Sequence, residues 1–161
     1  MNINPIGHLY WIKMRLSLYS ILLSICLVFF SCKKEETPAP SLAPEIKFVN
    51  VYPETVKEYN DKLEFTFIYS DPDGDLGENN ANVSNLFLTD NRNQVIYKYR
   101  IKQLAPENAN VKITGVLSIE LKNTVITDNS TSQKTTYSIY VEDRAGNTSN
   151  TINTSEVTVT K

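Results

Sequence analysis

The segment Leu63-Glu64-Phe65-Thr66-Phe67-Ile68-Tyr69 alternates along its length, and no stretch beside it sustains the spacing of an amphipathic helix. Successive strand side chains point to opposite faces, so Leu63, Phe65, Phe67 and Tyr69 are expected to face inward. The same alternation recurs in Val111 to Leu121, where Ile113, Leu117, Ile119 and Leu121 form the inward set, and in Tyr137 to Val141, where Tyr137, Ile139 and Val141 do. Further strands are expected over Ile46 to Tyr52, Asn85 to Thr89, Gln94 to Ile101 and Glu156 to Thr160. Clusters of Asn, Asp, Gly and Pro separate these runs as turns. The pattern predicts an all-β domain over 45–161, a two-sheet antiparallel sandwich of about seven strands. A closed barrel is the alternative, but evenly spaced hairpins are missing.

The residues before this domain are of another kind. Lys13 and Arg15 precede an apolar core from Leu16 to Phe30, which ends on Ser31-Cys32 and meets Lys33-Lys34-Glu35-Glu36. A positive start, a short apolar core and a small residue before the cut are what a secretory signal needs. The core is shorter than the roughly 20 apolar residues of a membrane span, so a retained transmembrane anchor is the weaker reading. Met14 is the expected true start. Leu27-Val28-Phe29-Phe30-Ser31-Cys32 resembles the cleavage and lipidation site of a bacterial lipoprotein, which makes 1–31 a signal peptide and Cys32 the lipidated residue. Cys26 competes poorly, because bulky Ile25 precedes it. The Lys33 to Glu36 run resembles the sorting signal that sends lipoproteins of Bacteroidetes-type bacteria to the outer face of the outer membrane; a solvated linker is the plainer alternative. Residues 32–44, rich in proline and charge, are expected to form an extended tether.

Cleavage before Cys32 would discard the sole histidine, His8, and the sole tryptophan, Trp11, and leave one cysteine committed to lipid. No disulfide framework could then form. Ser-His-Asp and Cys-His catalysis and zinc sites built on histidine or cysteine would be excluded with it. The remaining chain carries 14 Lys and Arg against 18 Asp and Glu, a net charge of −4. That balance lacks the clustered basic face of a nucleic-acid binder, so no nucleic-acid partner is expected. Nor is enzyme activity expected.

The stretch from Tyr137 through Asp143-Arg144-Ala145-Gly146-Asn147 to Ser149 resembles the penultimate strand and following turn of bacterial immunoglobulin-like and fibronectin-type-III-like domains. That resemblance implies an immunoglobulin-like sandwich with Tyr137 as a corner tyrosine, its hydroxyl bonded to upstream backbone. Phe67 to Gly77, with its Asp71-Pro72-Asp73-Gly74-Asp75-Leu76-Gly77 loop, looks like a group of small uncharacterised Bacteroidetes lipoproteins. It implies location and little chemistry.

Asp71, Asp73 and Asp75 are the leading site candidates, because carboxylates at i, i+2 and i+4 around a glycine can converge on one hard cation such as Ca²⁺. The loop is not an EF-hand, since Leu76 and Asn82 stand where Gly and Glu are required. Glu78, Asp90 and Asp143 are the candidates for further ligands. The plain alternative is a tight turn whose Asp side chains bond their own backbone. Tyr97, Tyr99 and Tyr140 are candidate ligand-facing aromatics, against the competing role of covering a sheet face. The leading functional expectation is a lipid-anchored, surface-exposed outer-membrane protein, held by the lipid on Cys32, that binds an envelope protein or serves as an accessory subunit. The alternatives are a glycan-binding module of a surface polysaccharide-uptake system and a carboxylate-dependent hydrolase using Asp73 and Asp75.

Overall fold

The computed structural model describes residues 41–161; the expected signal peptide, Cys32 and most of the tether lie outside them. The described residues are all-β and contain no helix. The strands are β1 (Glu45–Tyr52), β2 (Thr55–Lys57), β3 (Leu63–Asp71), β4 (Leu86–Asp90), β5 (Ile96–Tyr99), β6 (Ile113–Leu121), β7 (Ser132–Thr135), β8 (Tyr137–Val141), β9 (Ile152–Asn153) and β10 (Val157–Thr160). One sheet has the order β1-β3-β6, a second β5-β4-β8-β9, and a third β2-β10-β7. All pairings are antiparallel except β2 with β10.

The alternation read in β3 holds: Leu63, Phe65, Phe67 and Tyr69 are buried while Glu64 and Ile68 face out. Facing them from β4 and β8 are Leu86, Leu88, Tyr137, Ile139 and Val141, and one contiguous core joins them to Val56, Val157 and Val159. Phe65 and Tyr137 meet edge to face with ring centroids 5.0 Å apart, the geometry favoured by the aromatic quadrupole. The sandwich therefore closes without a disulfide.

Three expectations need correction. The domain has ten strands rather than about seven, because β2 and β7 were unforeseen and β9 stands apart from β10, which matches the expected last strand. The strand expected from Gln94 to Ile101 is shorter, since Gln94 has φ of 61° in the turn after β4 and the Asn85 side chain takes over beyond Tyr99. Asn85 Oδ1 accepts from the Ile101 amide at 2.6 Å and its Nδ2 donates to the Ile101 carbonyl at 3.2 Å, so a side chain replaces a ladder step. Finally, the buried Tyr137 hydroxyl bonds the Thr124 hydroxyl, 3.3 Å away, and not upstream backbone as a corner tyrosine would.

Candidate metal centre

β3 ends on Asp71, and the chain turns at once into the acidic loop. Asp71 Oδ2 accepts from the Leu76 amide at 2.7 Å, which folds the loop back over the strand end and drives Leu76 into the core. Gly74 (φ 79°) and Gly77 (φ 95°) lie in the left-handed region, and a Cβ on either would run into the carbonyl of Val111 or Lys102. The loop therefore lies backbone to backbone against the connection from β5 to β6, and the Val111 amide donates to the Asp73 carbonyl at 3.2 Å.

The third wall comes from the turn after β8. Gly146, with φ of 85°, lets the chain reverse, and the Asp143 carboxylate caps the turn by accepting from the amide and side chain of Asn147 at 2.7 and 2.9 Å. The two loops are tied directly. Ala145 donates to Asp75 Oδ2 at 3.0 Å, and Arg144 Nη1 to the Gly77 carbonyl at 2.8 Å.

One carboxylate oxygen each from Asp71, Asp75 and Asp143 lies within 4.8 Å of the others. That is about twice a Ca²⁺–oxygen distance of roughly 2.4 Å, the span of ligands on opposite sides of one ion. The Oδ1 atoms of Asp71, Asp73 and Asp75 are buried and have no hydrogen-bond partner. Asp71 as a residue is wholly enclosed. Burial pushes its carboxyl up to about 6, and the charges of Asp73, Asp75 and Asp143 add to the rise against the Leu76 amide. Burial also raises Asp75, helped by Asp143 and Asp73 and opposed by the Ala145 amide and Arg144. A buried carboxylate without a counterion is costly, and a hard divalent cation with oxygen ligands would satisfy Asp71, Asp75 and Asp143 together. Such an ion would join the end of β3 in one sheet to the loop after β8 in another.

The structure thus brings Asp71, Asp75 and Asp143 together, with Asp73 beside them. Glu78 is turned away, its Oε1 accepting from the Asn80 amide at 2.8 Å. Asp90 is at the other end of the sandwich and bound to Arg92. Although burial acts to raise Asp90, hydrogen bonds from Arg92 outweigh it and hold the carboxyl below the usual range.

The three tyrosines are divided. Tyr97 and Tyr99 lie on the inward side of β5, packed against the core, and burial raises both phenols. Tyr99 donates to the Glu120 carbonyl at 3.0 Å. Both still line an open groove of about 540 Å³ between β5 and the end of β6. Tyr140 is on the opposite face of that sheet, stacked on Phe87 at 4.7 Å with the rings inclined by 13°. Phe87 was missed as its partner, although its place between Leu86 and Leu88 signals an outward aromatic. Arg144 and Leu42 were missed too; both line a cavity of about 360 Å³ with Asp73 and Asp75.

No protein-family model, no curated protein and no solved structure matches this chain. Fold and site together define an all-β sandwich with an acidic pocket at one end.

Proposed function

We propose that this chain is a lipid-anchored, non-catalytic protein of the cell envelope whose immunoglobulin-like sandwich holds Ca²⁺ between Asp71, Asp75 and Asp143, with Asp73 in the same loop. The observation that carries the calcium reading is the enclosed Asp71 Oδ1, which has no partner. The immunoglobulin-like assignment rests on the strand orders β1-β3-β6 and β5-β4-β8-β9 and on the Asp143 to Asn147 turn. The anchoring reading rests on the Ser31-Cys32 junction. Because no disulfide is available, the cation acts as the cross-link between sheets. Carboxylates gathered this tightly suit a cation better than an acid and base facing each other across a sugar.

Calorimetric titration of Ca²⁺ into the chain from Lys33 onward tests this. Heat should be released or absorbed with one site per chain, and a hundredfold excess over Kd should raise Tm by about 10 °C. Unchanged heat and Tm at millimolar Ca²⁺ would exclude the site. Anchoring is tested separately: Cys32→Ser should move the protein from the membrane to the soluble fraction of the producing cell.

The glycan-binding alternative rests on the groove lined by Tyr97 and Tyr99. A glycan array probed with wild-type protein and Tyr97→Ala distinguishes it.

A further inference from the structure

The place where the chain joins the sandwich is set by strand register. Glu45, the first residue of β1, pairs with Ser70, and the next residue of β3 is Asp71. Pro44 is buried. The incoming segment therefore reaches the domain beside the acidic loop. Leu42 extends the contact, since it lines the same cavity as Asp73, Asp75, Asn108, Asn110 and Arg144 while remaining 52% exposed.

We infer that calcium at this site fixes the junction between tether and domain, turning Ser41–Pro44 from a hinge into a fixed stalk. This rests on the calcium reading above. The cavity that Leu42 lines is walled by Asp73 and Asp75 of the acidic loop and by Arg144 of the turn after β8, the two loops a cation would clamp. Without the ion, buried like charges work against the Ala145–Asp75 and Arg144–Gly77 hydrogen bonds that tie those walls, and a short segment with few contacts of its own frays. Within it, the Ala43 amide finds only the neighbouring Ser41 hydroxyl, at 3.2 Å. With the ion bound, the walls are tied across two sheets and Leu42 has a fixed surface to rest on. Pro44, whose ring fixes its own φ, is buried at the domain end of the segment.

The test is backbone ¹⁵N relaxation of the chain from Lys33 onward, which carries the whole core described above, with and without saturating Ca²⁺. Order parameters of the Leu42 and Ala43 amides should rise from below about 0.6 to about 0.85 as the calorimetric site fills. Leu42→Ser should still bind Ca²⁺ at one site, a fewfold more weakly because ordering and binding are linked, and should lose that rise. If Ca²⁺ binds and orders Asp71 to Gly77 while Leu42 and Ala43 stay mobile, or if both amides are already rigid without it, the inference is wrong and the calcium reading stands. Absence of any calcium heat overturns both.

Discussion

Arg92 grips Asp90 through two nitrogens, Nε to Oδ1 at 3.0 Å and Nη2 to Oδ2 at 2.6 Å, with both side chains nearly enclosed. Thr135 adds a hydroxyl to Asp90 at 3.0 Å, and Gln133 accepts from the third guanidinium nitrogen at 2.8 Å. At the other end of the same sandwich Asp71 is as deeply enclosed and has no such cation. The two ends treat a strand-terminal aspartate differently: one supplies its counterion from Arg92, and the other leaves Asp71 Oδ1 without a partner.

Removing Arg92 should therefore be severe and indifferent to calcium. Arg92→Met leaves Asp90 buried and unpaired, which costs about 3–5 kcal/mol when one partner of a buried pair is lost. Urea unfolding should show that loss with and without Ca²⁺, since the pair and the acidic pocket are at opposite ends. Recovery on adding Ca²⁺ would show that the two ends are coupled.

Asp71→Asn should act in opposite directions in the two conditions. In the absence of divalent cations it removes a buried charge that Asp73, Asp75 and Asp143 repel, so stability should rise by about 1–3 kcal/mol. The same change removes a ligand, so the calcium-induced rise in Tm should vanish. Thermal melts of the two proteins with chelator and with millimolar Ca²⁺ would cross over. Parallel shifts in both conditions would mean that Asp71 is only a turn residue.

The acidic pocket was partly legible in the sequence, and its geometry explains which part. Asp71, Asp73 and Asp75 announce themselves by spacing around Gly74, but Glu78, Asp90 and Asp143 look equivalent as recruits. Antiparallel pairing separates them. β4 ends on Asp90 opposite Tyr137, where β8 begins, so the length of β8 lies between Asp90 and Asp143. That is a fact of register, invisible until the pairing is known. The long strands were legible because a two-residue period is imposed wherever one face is buried. β2 was not, because Thr55–Lys57 buries only Val56 and is a strand only because β10 offers it a backbone, with Val56 opposite Val159. β7 is similar, since Ser132–Thr135 is polar throughout and is held by β10.

Acidity should stabilise the calcium-free domain over a defined window. The Asp71 carboxyl lies at about 6 when folded and near 3.8 in the unfolded chain, so its stabilising contribution is full below 3.8 and is lost as pH rises through 6. The loss is at most about 3 kcal/mol, less whatever solvent screens at the mouth of the pocket. Asp75, also raised, acts in the same direction. Asp61, Asp90 and Asp128 are lowered and lose their contributions only below 3.8, and residues 41–161 contain no histidine to titrate in between. Melts in chelator should thus give a higher Tm at pH 5 than at pH 7. Saturating Ca²⁺ should reverse the slope, because the cation binds the ionised form, and Asp71→Asn should flatten it.

The two turn glycines should separate conformational strain from crowding. Gly146 has φ of 85° with nothing within 4 Å of an added Cβ, so Gly146→Ala meets only the left-handed penalty of about 1–2 kcal/mol. Gly74 has φ of 79° and faces the Val111 carbonyl at a separation no Cβ can occupy. Gly74→Ala must therefore push the acidic loop off the β5 to β6 connection as well as adopt the strained φ. Its cost in urea unfolding should exceed that of Gly146→Ala by about 1–3 kcal/mol, the range for overpacking. The displaced loop also carries Asp73 and Asp75 out of register with Asp71 and Asp143. Gly74→Ala should consequently weaken calcium binding at least tenfold in calorimetry, while Gly146→Ala, whose site is open to solvent, should weaken it far less. Equal calcium affinities in the two variants would show that the ion is held without the close backbone packing at Gly74.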